Sequence, residues 1–211
     1  MSRHTGTTDV LLDVERVGRT VSGLRILEET SFTVRAGQCT VLRGENGAGK
    51  TTLLRILLGL DAPTTGRIRM RAGVLEPRDI SAAIQAPPFF ENLTVLEHLF
   101  FVRASWGLPG GSEAPLALLR AFDAERLGVH FPDELSSGER QIVTLCLALA
   151  RPAKLVVLDE PEQRLDTSRR AALAALLRGR LEDGQGVVMA THAPDLLEAV
   201  GGEVVDLVAA E

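Results

Sequence analysis

Tyrosine is absent from the 211 residues, tryptophan occurs once, and aromatic residues make up only 4% of the chain. Ring stacking is therefore available at few positions. Cysteine occurs twice, at Cys39 and Cys146, without disulfide-like spacing, and reduced thiols in a cytosolic protein are the expectation. The four histidines, His4, His98, His130 and His192, are scattered and form no metal-ligand cluster. No apolar run approaches the ~18 residues of a membrane span. The N-terminal "MSRHTGTTDV" lacks the apolar core of a signal segment and reads as a polar, loose start. Basic charge is also short: the formal net charge is -5, against a protein that grips nucleic acid through a basic face. A soluble protein is expected, with any membrane role exercised through a partner.

What the chain does have is hydrophobic residues, 45% of the total, enough for a substantial core. "VLLDVERV" and "EETSFTVRAG" alternate like strands, and "QCTVLRG" is a short apolar strand running into a glycine-rich loop. "KTTLLRILLGL" has helical spacing, with Leu53, Leu54, Leu57 and Leu58 on one face and Gly59 suited to the helix end. "RIRMRAG" is another strand. From about Pro87 to Ala150 the pattern is mostly helical, broken by "GLPGGSEAP". "KLVVLDE" and "GVVMATH" then read as strands covered on both faces, "TSRRAALAALLRGRLED" as a helix between them, "APDLLEAVG" as a short helix and "EVVDLVA" as a final strand. No internal repeat is present. The expected fold is α/β, a phosphate-loop NTPase core with a mostly parallel central sheet and a helical insert. One domain spans 1–211, its core at about 10–86 and 151–211 and the helical part at about 87–150.

"GENGAGKTT" fits G-x-x-x-x-G-K-[ST], with Gly44, Gly49, Lys50 and Thr51 in register. Glycines let successive N–H groups curl toward phosphates, and the following helix presents its positive end. Lys50 supplies a charge to the β- and γ-phosphates, and the Thr51 hydroxyl is suited to Mg²⁺. "LVVLDEP" ends an apolar strand in Asp159 and Glu160, where parallel sheets place ligands. Asp159 is suited to holding Mg²⁺ through water. Glu160 faces elsewhere, since strand side chains alternate, and is placed to polarise an attacking water.

In this order the motifs resemble the ATP-binding subunit of an ABC (ATP-binding cassette) transporter. Gln85 in "AAIQAPPFF" resembles that family's Q-loop glutamine, "LSSGERQ" (Leu135–Gln141) its signature, "RLD" ending at Asp166 its D-loop, and His192 in "THAPD" its switch histidine. The resemblance implies an N-terminal antiparallel β subdomain and ATP hydrolysis. Gly44, Glu45, Asn46, Gly47, Ala48, Gly49, Lys50, Thr51 and Thr52 would cradle the nucleotide, and Thr51, Gln85 and Asp159 would attend Mg²⁺. Glu160, Lys50 and His192 would carry the chemistry. It also implies that two cassettes pair head to tail, each ATP lying between one phosphate loop and the other copy's Ser136, Ser137, Gly138 and Glu139. A separate membrane permease subunit would receive the motion, with the protein peripheral on the cytoplasmic face of the membrane.

Each minor motif also has a plain structural explanation. Ser136 and Glu139 have capping-box spacing ahead of "RQIVTLCLALA", and Asp166 can cap the helix that follows it. The signature departs from the family pattern at Ser137 and at Glu139, where an acid replaces a neutral amide. Glu139 is expected to turn back onto its own helix. The family's adenine-stacking aromatic is missing from "VGRTVSGLRI", where Val21 is the nearest match by spacing. Phe89, Phe90, Phe100 and Phe101 either line a groove for a permease helix or form the core of the helical part. The main alternative function is a soluble ATPase of the same family acting on nucleic acid or ribosomes. The acidic balance and single cassette speak against it and against direct nucleic-acid binding. Another phosphate-loop enzyme, a kinase or GTPase, is disfavoured by "LSSGE" and "THAPD".

Overall fold

A computed structural model of the chain describes residues 10–209. The polar start before Val10, including His4, lies outside the described residues. Two sheets form the frame. Strands β1 (Val10–Val21), β2 (Leu24–Arg35) and β4 (Thr65–Met70) make an antiparallel sheet in the order β2-β1-β4. Strands β3 (Cys39–Arg43), β5 (Ile80–Ala83), β6 (Leu155–Asp159), β7 (Gly186–Ala190) and β8 (Glu203–Asp206) make a wholly parallel sheet in the order β5-β6-β7-β3-β8.

The central strands carry unbroken apolar runs because both faces of the parallel sheet are covered. Their side chains alternate between two cores. Val156, Leu158, Val187, Met189 and Val41 face the core shared with the helices that follow Gln85. Leu155, Val157, Val188, Ala190 and Leu42 face the antiparallel sheet and helix α1 (Lys50–Leu57). Cys39 and Cys146 are buried in the first core as free thiols, and burial pushes the Cys39 thiol up to about 12.

β1 runs further than its alternation indicated, to Val21, because it continues through irregularities between Val14 and Thr20. It turns into β2 through Ser22 and Gly23, both with positive φ, the geometry of a tight hairpin turn. In α1, Leu53, Leu54 and Leu57 are buried, while Leu58 is half-buried at the cap and Gly59 follows at φ 69°.

Helices α2 (Val95–Ser105), α3 (Glu113–Ala121) and α4 (Ser137–Leu149) lie between β5 and β6. The loop-rich break is shorter than its composition implied. Pro115 falls in the first turn of α3, where a missing N–H breaks no helical bond, so the helix begins at Glu113. Helices α5 (Thr167–Glu182) and α6 (Pro194–Val200) flank β7. Among the described residues no helix is long and apolar enough to cross a membrane.

Candidate nucleotide site

The carboxyl ends of β3, β6 and β7 converge on one edge of the parallel sheet. β3 delivers the phosphate loop, β6 the acid pair, and β7 the histidine loop. Gly49 has φ 87°, and a side chain there would meet the Ile26 carbonyl oxygen at 2.6 Å, so only glycine fits between the loop and β2. α1 has no side-chain cap, which leaves its first-turn N–H groups for a ligand. Lys50 is 6% exposed, and its Nζ donates to the Gly44 and Glu45 carbonyls at 2.7 and 3.0 Å, bracing the loop from within.

Thr51 Oγ1 donates to Asp159 Oδ2 at 2.6 Å, joining phosphate loop and acid strand. Asp159 Oδ1 is buried without a hydrogen-bond partner. Burial raises the Asp159 carboxyl from its ordinary range, and the Thr51 bond opposes that rise. An orphaned carboxylate oxygen beside a hydroxyl fits a hard divalent cation such as Mg²⁺, which takes one or two protein oxygens and fills its remaining positions with water and phosphate.

Glu160 leaves β6 at φ 44°, and its N–H donates to the Ala190 carbonyl at 2.8 Å. Its side chain is bracketed. Gln163 Nε2 donates to Glu160 Oε2, and His192 Nε2 lies 3.7 Å from Glu160 Oε1. The His192 N–H donates to Glu162 Oε1 at 2.9 Å. Thr51, Gln85, Asp159 and Glu160 line a cavity of about 420 Å³ together with Gln141, Gln163 and Arg164. Gln141 and Arg164 belong to the "LSSGERQ" and "RLD" motifs without being singled out there as site residues, and Gln163 escaped the sequence reading. So did Glu162, since a polar side chain next to a strand end carries no periodic signal.

Other predicted residues lie around this cavity or apart from it. Gln85 sits two residues beyond the end of β5 and also lines a second cavity of about 250 Å³, with Pro87, Phe101, Val102 and Trp106. Ser136 is the N-cap of α4, and its Oγ accepts the Glu139 N–H at 3.3 Å. Glu139 turns back on its own helix: Oε2 accepts from Ser136 N at 2.9 Å and Ser136 Oγ at 2.7 Å. Asp166 Oδ1 caps α5 by accepting the Arg169 N–H at 2.8 Å. Arg164 links the two regions, because a side chain on Gly138 would stand 3.3 Å from its carbonyl oxygen. Within the single chain the signature thus meets the acid loop, while Ser136, Ser137, Gly138 and Glu139 are not among the residues that line the cavity with Thr51.

Val21 closes the β1–β2 hairpin, 44% exposed, opposite Leu24 at 72% exposed. β2 rests on Gly49 through Ile26 and Leu27, and Leu24 of this aliphatic pair stands two residues before Ile26.

The ABC transporter family matches residues 27–163, about two thirds of the chain. Among curated relatives, the zinc import ATP-binding protein of Pseudomonas fluorescens is 37% identical over 207 residues, covering 95% of this chain and 74% of the relative. An arabinose import ATP-binding protein of Burkholderia ambifaria is 33% identical over 204 residues, covering 90% of this chain. The chain spans only 39% of that relative's length. A bacterial ABC transporter cassette solved as a dimer superposes with a TM-score of 0.81 at 25% identity, covering 94% of this chain and 95% of its own.

Proposed function

Because this chain belongs to the ABC transporter family, we propose that it binds and hydrolyses ATP as a cassette that drives transport through a separate membrane permease. The observation that carries the reading is the Thr51–Asp159 bond, with Glu160 lining the same cavity and His192 3.7 Å from Glu160. The uncapped start of α1 and the loop N–H groups receive the phosphates, and Lys50 faces the β- and γ-phosphates. Thr51 and Asp159 would hold Mg²⁺ with Gln85 alongside, and bound Mg²⁺ supplies positive charge to the phosphate oxygens. Glu160 orients and polarises the attacking water, while His192 stabilises charge on the transferring phosphoryl group.

Two cassettes pair head to tail in this scheme. The capped start of α4 then presents Ser136, Ser137 and the Gly138 backbone to the nucleotide held by the other copy. ATP binding closes the pair and hydrolysis reopens it. Gln85 forms part of the wall between the reaction cavity and the second cavity, so its position is sensitive to both. That second cavity lies beside Phe101 and suits a cytoplasmic helix of the permease, which would hold the cassette at the inner face of the membrane.

The test is Glu160→Gln. ATP binding should persist, turnover should fall by about 100-fold or more, and a closed dimer should accumulate on size exclusion with ATP. Undiminished turnover in that variant would remove Glu160 from the mechanism.

A further inference from the structure

Glu139 sets a problem for the signature. A carboxylate in the first turn of α4 favours its own helix, but the same helix start is where the negatively charged phosphate must come. Protonation does not relieve the conflict: the bonds from Ser136, with a further one from Arg126, hold the Glu139 carboxyl down at about 2, so it is charged at any working pH. Neutralisation has to come from a cation.

The geometry supplies one. Glu139 Oε2 is taken by Ser136 N and Ser136 Oγ. The other oxygen, Oε1, accepts from Arg126 Nη2 at 2.6 Å. Arg126 sits in a 3₁₀ turn, Glu125–Val129, anchored by buried Ala124 and Leu127. Its neighbour Glu125 does not compete, because Arg120 binds it at 2.8 Å. Glu139 is the one acid paired with Arg126 among the described residues. Glu139 is 17% exposed while Arg126 remains 63% exposed, so the carboxylate is screened and the cation stands on the outer side.

We infer that Arg126 is a positioning residue for the signature. It draws the Glu139 charge back against the helix, so that Ser136 and the α4 N–H groups meet the other copy's phosphate without an opposing charge. The Ser136 hydroxyl is the sensitive part. Its proton is now given to Glu139 Oε2, and it must turn outward to reach a phosphate. Arg126 on Oε1 weakens the pull of that carboxylate on the hydroxyl. The inference rests on the proposed pairing of two cassettes across ATP.

The test uses the full chain carrying Glu160→Gln, with ATP-dependent dimer formation followed by light scattering. Arg126→Ala should raise the ATP needed for half-maximal dimer about tenfold, because the uncompensated Glu139 charge then faces the phosphate as a like charge across the interface. Binding of a fluorescent ATP analogue to dilute monomer, which reads the phosphate loop alone, should not change. Adding Glu139→Gln to Arg126→Ala should restore dimer formation, since the uncompensated charge is then gone. A merely structural ion pair predicts the reverse, a loss that Glu139→Gln leaves in place together with a lowered Tm, and that result would overturn the inference. Dimer formation by Arg126→Ala at the parental ATP concentration would overturn it equally. If the Glu160→Gln chain itself fails to pair with ATP, the pairing scheme falls first and this inference falls with it.

Discussion

At the scale of single residues, Glu139 is a helix cap as well as a charge within the signature. As a cap it adds stability through a carboxyl held at about 2, below the usual ~4.3 of a free glutamate. A carboxyl depressed on folding stabilises fully above the unfolded value and loses its effect as pH falls through the folded one. Glu139→Ala should therefore cost about 1 kcal/mol at pH 7. In urea titrations across pH, the gap from the parent should close between about 4.3 and about 2. The hairpin end gives a second prediction. If, as we propose, adenine lies at this hairpin end, Val21 and Leu24 would offer it an aliphatic surface in place of a ring and forgo about 1–3 kcal/mol of stacking. Competition binding should show ATP preferred over GTP by less than about a hundredfold. Val21→Tyr should tighten ATP by about tenfold or more, following the same stacking difference.

Among the elements, the phosphate loop and the acid loop are held by different means. The loop ahead of α1 depends on backbone shape. Gly49→Ala would place a side chain at positive φ and 2.6 Å from the Ile26 oxygen. It should abolish nucleotide binding in calorimetry and destabilise the fold by about 1–3 kcal/mol. The acid loop from Glu160 to Leu165 depends on side chains. Two of its residues, Glu160 and Arg164, have positive φ. Gln163 donates to Glu160 within the loop, Gln141 of α4 donates to the Pro161 carbonyl, and Glu162 accepts the His192 N–H from the histidine loop. Much of the site was legible because its parts are local: a glycine loop between strand and helix, an acid pair closing an apolar strand, a capping box with fixed spacing. What escaped was contact between distant stretches. Gln163 and Arg164 enter the cavity only because the loop doubles back, and the Arg126–Glu139 pair crosses from a 3₁₀ turn that has no hydrophobic period. The long β1 escaped for a related reason, since its irregularities interrupt the alternation by which a strand is recognised.

For the whole molecule, the phenylalanines settle between the two alternatives posed by their sequence. Phe90 and Phe101 are half-exposed, 50% and 51%, with ring centroids 5.3 Å apart. Phe89 packs against the main core and meets His98 edge to face. The ring of His98 is the anchor: its Nε2 accepts the Phe90 N–H at 2.9 Å, so Nδ1 carries the proton and donates to the Thr94 carbonyl at 2.8 Å. The cluster is a surface feature with a buried foundation. Phe90→Glu should leave basal ATP hydrolysis and solubility near parental while lowering permease-dependent stimulation by about tenfold, as loss of a central aromatic anchor does at interfaces. Equal stimulation in reconstituted vesicles would exclude this face from coupling.

The parallel sheet has a last consequence for timing. The ends of β6 and β7 are stitched twice, by the Glu160 N–H on Ala190 and by the Glu162 carboxylate on the His192 N–H. Acid and histidine therefore ride on one hinge plate rather than on two free arms. On the proposed mechanism, a displacement of either would carry the other, so that the chemistry at this edge would be armed or disarmed as a unit.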